Sequence, residues 1–387
     1  MIAIRSMESL MRSALLMLVS LKVISCGTDY NAKSYDMKVS EEIPYVFHLN
    51  DSTTQIATYI QPIDSNVPFR LMYLNMSMKS LCFFNFSDFE ETDVIKIASQ
   101  GPDAVDLANS GGVYYHSDDS IYIYNYWNKN FTIIDHNGSI VGRIPLTDFT
   151  ISNGMLPQLR ATSISPLAML DGKILMSGHP SYAVSDKEDP ARVQTMALMD
   201  TIEKTIRTFA EYPSDYKTID SNRWNPFLYL VPDYCVGDRN TIVISFPASD
   251  SIRVYDLNTL TYQSYFAGTD RDIDISVAAN PYDESHLYGS YAYKGIKYDR
   301  WNDVYYRVLI RPVRQGVNIN DFQGVNVPRP ISVIVLDHDF NKIAETDFDD
   351  YHGSFIHMFV SPRGLSIHSY SDDDDYLIFR TFKPVSI

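Results

Sequence analysis

The sequence lacks the short motifs that identify most enzyme classes. Its 387 residues contain no glycine-rich phosphate loop, no GxSxG elbow of a serine hydrolase and no HExxH pair of a zinc protease, and each absence removes one class of enzyme. No spacing of Cys and His resembles a zinc site either. The sequence therefore predicts no cofactor, and it favours a protein without catalytic activity while leaving an enzyme open.

Basic residues are also scarce. The chain has 32 Lys and Arg against 48 Asp and Glu, a formal net charge of −16. So acidic a surface is repelled by phosphate backbones. We therefore expect no nucleic-acid partner.

Cysteine is rare, with three in the whole chain. Cys26 lies at the end of the N-terminal segment discussed below, which leaves Cys82 and Cys235 for the folded part. These two could form a disulfide in an oxidising compartment, but Cys82 lies in the strand-like run LCFFNF, where a buried free thiol is equally consistent with the sequence. Both alternatives stay open.

A single apolar run, Ala14 to Leu21, stands near the N-terminus. It is too short to span a bilayer, which needs about 20 residues, and it offers little of the polar face that a buried helix requires. Two basic residues, Arg5 and Arg12, precede the run, and a small residue followed by Cys26 comes after it. We predict a lipoprotein signal peptide over residues 1–25, with Cys26 as the lipidation site.

This leader implies a domain organisation and a location. We predict a lipidated Cys and flexible tether over residues 26–40 and one β domain over 41–387, anchored in the bacterial cell envelope, in the outer rather than the inner membrane, with the membrane face left open. Lys22 interrupts the leader, so Met11 is an alternative start. Loss of residues 1–25 removes three basic residues and one acidic residue, giving a net charge of −18.

Runs rich in Ala, Leu or Glu are scarce, whereas Tyr (28) and Phe (19) are abundant and suit pleated strands. Between strand-like runs an Asp recurs at Asp135, Asp200, Asp256 and Asp337, and a fainter corner lies at residues 85–91. An Asp in such a turn accepts hydrogen bonds from backbone N–H groups two residues on. We predict that these aspartates form turns and are not catalytic.

Corners 56 to 81 residues apart, with no helical stretch between them, predict the blades of a β-propeller. Six blades fit best and seven is the alternative. The six predicted blades span 72–98, 113–146, 168–213, 236–268, 285–348 and 354–387. We expect a loop insertion over Pro312–Pro330, and we expect the early strands, 43–50 and 54–60, to join the C-terminal blade and close the ring.

The distribution of apolar residues along the strands supports blades rather than a sheet that is buried on one face. Ile242, Ile244 and Phe246 make one face apolar, yet Val243 is apolar on the other face. Burial on both faces is expected where each sheet packs against two neighbours.

Several stretches carry a family resemblance. They are the leader that ends at Cys26 and the runs Ser245–Asp256, Asp303–Arg307, Val333–Thr346 and Ser361–His368. On these residues the chain resembles an uncharacterised Bacteroidetes lipoprotein family with a TolB-like six-bladed β-propeller. The resemblance implies that fold and lipid anchoring, and it supplies neither an activity nor site residues.

One stretch concentrates aromatic and basic residues in an acidic chain. It contains Arg300, Trp301, Tyr305, Arg307 and Arg311. Aromatic rings stack on sugars and Arg holds a carboxylate with two hydrogen bonds, so the stretch is a candidate binding patch. The alternative is a buried Arg paired with an Asp of a neighbouring blade.

Other candidates are weaker. Trp224 and Asn225 lie on a predicted loop between blades, and His179 follows a strand from which it could reach the central opening. Asp270, Asp272 and Asp274 alternate along one stretch and are weak Ca²⁺ candidates, because the spacing fails the EF-hand pattern. An exposed loop is the alternative for the acidic stretch, and a structural His for His179.

The sequence supports two functions. The first is a lipid-anchored binding or scaffolding module for a glycan, a peptide or an envelope protein, with the ligand held by loops around the channel of the propeller. The alternative is an envelope glycoside hydrolase or lyase at the channel mouth, which requires two carboxylates about 5 to 9.5 Å apart.

Overall fold

A computed structural model describes most of the chain beyond the predicted leader. The described residues are 35–50, 53, 59–64, 69–152, 155–180, 192–217, 224, 226–238, 241–273, 275, 284–314, 316–317, 327 and 329–387. They belong to one compact unit, Tyr35–Ile387. The predicted signal peptide and Cys26 lie outside the described residues.

The described strands form six sheets arranged as the blades of a propeller, and all pairs of strands are antiparallel except β10 with β15, which is parallel. Strand β1 (Met37–His48) belongs to the last blade. Blade 1 holds β2 (Tyr59–Ile63), β3 (Arg70–Asn75), β4 (Ser80–Asn85) and β5 (Glu91–Lys96), and blade 2 holds β6 (Ser110–Ser117), β7 (Ser120–Asn125), β8 (Asn130–Ile134) and β9 (Ile140–Pro145). Blade 3 holds β10 (Thr150–Ser152), β11 (Gln158–Arg160), β12 (Ala168–Leu170), β13 (Lys173–His179), β14 (Gln194–Asp200) and β15 (Thr205–Glu211).

The second half of the chain forms the other three blades. Blade 4 holds β16 (Asp233–Val236), β17 (Thr241–Ser245), β18 (Ser251–Asp256) and β19 (Tyr262–Phe266), blade 5 holds β20 (Ala292–Asp299), β21 (Val304–Ile310), β22 (Ile331–Leu336) and β23 (Lys342–Phe348), and blade 6 holds β24 (Gly353–Ser361), β25 (Gly364–Ser369), β26 (Tyr376–Ser386) and β1. Short helices lie at Leu146–Asp148, Ser214–Tyr216, Pro226–Leu230 and Glu284–Gly289. The six-blade prediction is confirmed, and the long connection predicted in blade 5 separates β21 from β22.

The ring closes by pairing the two ends of the folded chain. Strand β1 runs antiparallel to β26, with Met37 opposite Ser386 and His48 opposite Tyr376. Closure by an N-terminal strand is therefore confirmed for β1. The second early run was expected in the same sheet, but its described part is β2, which pairs with β3 and opens blade 1. Closure leaves β26 without an open edge.

Each blade is buried on both faces, as the alternation in β17 predicts. Ile242, Ile244 and Phe246 pack into a cluster with residues of blade 3. Val243 points to the other side and packs with Tyr293 of blade 5. The same sheet thus contributes to two cores, which is why its strand reads as a continuous apolar run.

The corner aspartates form turns, as predicted. Asp256 Oδ1 accepts hydrogen bonds from the backbone N–H groups of Asn258 (2.8 Å) and Thr259 (3.0 Å). Equivalent bonds from backbone N–H groups reach Asp135, Asp200 and Asp337. These bonds stabilise the ionised carboxylate, and they hold the pKa of Asp256 below its usual value.

All four corners occupy the same place in their blades, between the last two strands in chain order, which are β8 and β9, β14 and β15, β18 and β19, and β22 and β23. The fainter corner at residues 85–91 has the same position in blade 1, between β4 and β5. Blade 6 has no such turn, because its third strand is β26, its fourth is β1, and no chain joins them there. The missing sixth repeat in the sequence is therefore the point of ring closure.

Cys82 and Cys235 are both free thiols, so the disulfide alternative is excluded. Cys82 is buried in β4 and Cys235 lies in β16. Among the described residues no helix has the length and apolar character needed to cross a membrane.

Candidate functional site

The innermost strands of the six blades surround a central channel, and a cavity of about 560 Å³ opens at one of its ends. Residues from β2, β6, β16, β20 and β24 line it, together with the stretch before β12. The lining also includes residues from the connections that follow β2 and β20, such as Phe69 and Trp301. The cavity therefore opens on the face of the propeller where the first strand of each blade connects to the second strand.

The floor of the cavity is an interruption in blade 3. Strands β11 and β12 both pair with β13, and the seven residues between them, Ala161–Leu167, leave the sheet. We call this stretch the plug segment. Ser163, Pro166 and Leu167 from it line the cavity.

The plug segment is held by the blades around it. Its Ala161 N–H donates to Gly111 O of blade 2 (2.6 Å). On blade 1, Ile60 N–H donates to Ser163 Oγ (2.9 Å).

The far side of the plug segment reaches blades 4, 5 and 6. Ser165 Oγ donates to Asp233 Oδ1 of blade 4 (3.1 Å). Ile164 is buried and packs in one cluster with Val304 of blade 5 and Met358 of blade 6. The plug segment therefore contacts each of the five other blades. These contacts fix it in the channel, where it forms the floor of the cavity.

Lys297 of β20 lies against this floor. Its Nζ donates to the carbonyl oxygens of Ser163 (3.1 Å) and Ile164 (3.0 Å). The side chain lies deep inside the protein, yet water reaches part of it because it lines the cavity. Desolvation lowers the pKa of Lys297 to about 8, against the opposing effect of nearby Cys235 and Asp233.

No carboxylate forms an ion pair with Lys297 among the described residues. Asp233 is the neighbouring acid, but both of its oxygens are engaged. Oδ1 accepts from Ser165 Oγ, and Oδ2 accepts from Gly295 N–H (2.7 Å). Lys297 is thus a cation in the channel whose hydrogen-bond partners are neutral.

The rim of the cavity is aromatic and carries one ion pair. Arg300 pairs with Asp64 across the mouth, and its guanidinium lies over the ring of Trp301, 4.6 Å from the centroid. The rings of Trp301 and Phe69 are nearly perpendicular, with an interplanar angle of 83° and centroids 6.2 Å apart. Trp301 nevertheless keeps 40% of its surface exposed. Asp64 is the one carboxylate among the described lining residues.

A turn of the corner type places Trp301 at the rim. Asp299 Oδ1 accepts hydrogen bonds from the N–H groups of Trp301 (3.0 Å) and Asn302 (3.1 Å), and Oδ2 accepts one from Tyr306 OH (3.1 Å). Asp299 is buried, unlike the corner aspartates. These hydrogen bonds hold the backbone of the β20–β21 connection, which places Trp301 at the rim.

The structure separates the five residues of the predicted patch. Arg300 and Trp301 line the cavity, whereas Tyr305, Arg307 and Arg311 do not. Arg311 is mostly buried and pairs with Asp347 and Asp349 of its own blade. Tyr305 faces blade 4 inside a core cluster.

Arg307 is fully buried between blades 4 and 5. It donates to Ser245 Oγ (2.9 Å) and to the carbonyl oxygens of Ala267 (3.1 Å), Phe246 (3.2 Å) and Ser249 (2.7 Å). Its guanidinium lies 3.7 Å from the ring centroid of Tyr293. These bonds join the two blades.

The other candidates lie away from the cavity. Trp224 is buried against Tyr216, with ring centroids 4.9 Å apart. His179 is buried at the end of β13, where desolvation lowers its pKa to about 4. Asn225 lies outside the described residues.

The acidic stretch is partly described. Asp270 Oδ2 accepts a hydrogen bond from Tyr35 OH (2.8 Å) and pairs with Lys342 Nζ (3.1 Å), so a cation already faces it. Asp272 is exposed, and Asp274 lies outside the described residues. Within the described part of the chain, no group of three or more His, Cys, Asp or Glu is arranged to hold a metal ion.

Sequence reasoning missed Lys297 and the plug segment. Lys297 lies in the run YKGIKYD, whose alternation gives no sign of which face borders the channel. The plug sequence ATSISPL reads as an ordinary loop. A polar interruption of a strand followed by Pro166 was the available signal, and it does not identify the blades that the loop contacts.

Comparison with known proteins places the chain in a family. A family model described as "Domain of unknown function (DUF4221)" matches residues 39–347. A crystal structure of a DUF4221 family member from Bacteroides vulgatus is 20% identical, with a TM-score of 0.74 over 92% of this chain and 100% of that one. A Bacteroides fragilis protein, named as a predicted exported protein, is 13% identical, with a TM-score of 0.51 over 92% and 98%. No curated protein matches.

Proposed function

The chain belongs to the DUF4221 family, and we propose that this β-propeller binds a glycan in the mouth of its central channel. One observation carries the proposal, the partly exposed indole of Trp301 at the rim of a cavity with a closed floor. An exposed tryptophan at a concave site is typical of ligand binding.

The chemistry of the lining suits a sugar. A pyranose offers an apolar face of C–H groups, which stacks on an aromatic ring, and a rim of hydroxyls, which need hydrogen-bond partners. Trp301 and Phe69 supply rings at the mouth. Asp64 and Arg300 supply an acceptor and donors beside them.

The shape of the site also favours a small ligand over a protein surface. A cavity of about 560 Å³ falls within the range of about 300–1,000 Å³ that is typical of small-molecule pockets. The plug segment stops the ligand from passing through the ring. An oligosaccharide end can enter such a cavity, whereas a folded partner cannot.

The lining supports binding rather than hydrolysis. A glycoside hydrolase requires two carboxylates that flank the scissile bond. Asp64 is the one carboxylate among the described lining residues, and Arg300 already neutralises it.

Glycan binding is tested by replacing the indole. We expect Trp301→Ala to reduce binding on a glycan array and in calorimetry by 10-fold or more, with little change in melting temperature because the ring is exposed. Trp127→Ala is the matched control, since Trp127 is 67% exposed on blade 2 and does not line the cavity. Equal affinity in both variants would rule out a site at the rim.

We also propose that a lipid on Cys26 holds the propeller in the bacterial envelope. The leader pattern over residues 1–25 supports this, and so does the similar Bacteroides fragilis protein, which is named as a predicted exported protein. Cys26→Ala should move the protein from the membrane fraction to the soluble envelope fraction. Retention of the variant in membranes would contradict lipid anchoring.

A further inference from the structure

We infer that Lys297 binds a carboxylate of the ligand at the floor of the channel, so that the glycan is an acidic one containing a uronate sugar. This inference rests on the proposed function and assigns the chemical class of the ligand. Its basis is the position of one cation between the plug segment and the cavity.

The ammonium of Lys297 has one donor to spare. An ammonium carries three N–H groups, and two of them point at Ser163 O and Ile164 O. No third acceptor is found for it among the described residues. Because Lys297 and Ser163 both line the cavity, the remaining N–H is within reach of a ligand group at the floor.

Lys297 also has no ion-pair partner among the described residues. A cation inside a protein is costly unless an anion pairs with it. Asp233 attracts Lys297 from nearby, but the same carboxylate also acts on the buried cations Lys294 and Arg307, so it is shared among three positive charges. At the rim Arg300 and Asp64 neutralise one another. The cavity therefore presents a neutralised pair at its mouth and a cation without an ion-pair partner at its floor.

This arrangement discriminates between ligands. A carboxylate supplies both a third acceptor and an ion-pair contact for the ammonium, whereas a neutral sugar supplies only an acceptor. The protein as a whole is acidic, with a net charge of −16, so its general field repels an anion. Preference for an acidic sugar must then come from a local cation, and Lys297 is the one that lines the cavity unpaired.

The proton on Lys297 gives the binding a pH dependence. The groups that face it or share the cavity are Asp233, Tyr234 and Cys235 on β16, Tyr114 on β6, Tyr298 on its own strand, and Asp64 and Arg300 at the rim. Burial raises the pKa of Cys235 and of Tyr298 to about 12, and it also raises those of Tyr114 and Tyr234. Lys297, with a pKa of about 8, loses its charge between pH 6.5 and 9.5 while these thiol and phenol groups stay neutral.

The experiment compares matched sugars on the full-length protein. Trimers of galacturonate, glucuronate and mannuronate are titrated by calorimetry at pH 6.5 beside their methyl esters, which have the same size and linkage without the charge. We expect at least one acid to bind about 10- to 100-fold more tightly than its ester. Raising the pH to 9.5 should remove most of the affinity for the acid.

Two variants assign the effect to Lys297. Lys297→Met should bind the acid and the ester equally at pH 6.5, and Lys297→Arg should keep the preference for the acid at pH 9.5. A purely structural role for Lys297 would not produce this change in the pH profile. Melting temperatures of both variants show whether each one folds.

The outcomes separate the inference from the proposed function. If esters or neutral trisaccharides bind through Trp301 but no acid binds more tightly, the carboxylate site is refuted and the glycan site stands. The same holds if the preference for the acid survives in folded Lys297→Met. If no sugar binds at either pH, both are refuted.

Discussion

Arg307 and Arg300 lie seven residues apart in one sequence patch and differ completely in their surroundings. Arg307 is enclosed between two blades and donates to three carbonyl oxygens and a hydroxyl. Arg300 is exposed at the cavity mouth. Composition identified both residues. It could not tell them apart, because nothing in the sequence shows that Arg307 on strand β21 faces blade 4 whereas Arg300, in the connection before that strand, lies at the cavity mouth.

Replacing the Arg307 side chain should therefore destabilise the protein. Arg307→Met leaves buried carbonyl oxygens without donors and should lower the free energy of unfolding by about 3–5 kcal/mol. Arg300→Met is the matched control and should change it by about 1 kcal/mol or less, because the ion pair with Asp64 is exposed. Denaturant unfolding of the two variants measures the difference, and equal losses would disprove the assignment.

At the scale of the element, the turns were predictable and the plug segment was not. A turn such as that at Asp256 is made by residues a few positions apart, so its signature lies within a short stretch of sequence. Together with the strand-like runs around them, these signatures predicted six blades, with seven as the alternative. The plug segment depends on contacts such as Ile60 with Ser163 and Ser165 with Asp233, which join distant parts of the chain. Nothing local in ATSISPL specifies those partners.

The anchoring of the plug segment can be weakened at Ile164. Ile164→Ala removes a buried side chain from the cluster shared with blades 5 and 6 and should cost about 2–5 kcal/mol of stability. It should also weaken ligand binding, since the carbonyl oxygen of Ile164 positions Lys297. Ile202→Ala, at a side chain that is 85% exposed, is the control and should change stability by about 0.5 kcal/mol or less. Unchanged binding in folded Ile164→Ala would show that the plug segment does not position Lys297.

At the scale of the whole molecule, strand β1 closes the ring of blades. It carries the buried side chains Val39, Tyr45 and Phe47 and covers the edge of β26. Deletion of residues 37–48 should abolish cooperative thermal unfolding and cause aggregation through the uncovered edge.

A circular permutant is the control for this deletion. Ile387 N–H donates to Asp36 O (3.0 Å), so a short turn can join these two ends. New termini in the connection between β5 and β6, at residues 100–101, keep all six blades intact. This permutant should fold and melt cooperatively, whereas a deletion variant that melts like the wild type would contradict the role of β1.

The pairing of β1 with β26, which places Met37 opposite Ser386, also determines the stage at which the protein can complete its folding. Blades 1 to 5 are each made of neighbouring stretches and can form as the chain emerges. The sixth blade forms only when β1 pairs with β26, and more than 300 residues separate these two strands. Contacts so distant in sequence form slowly. If the chain is exported, its ring is completed only after the C-terminus has crossed the membrane, so β1 has to remain unpaired and protected from aggregation until then.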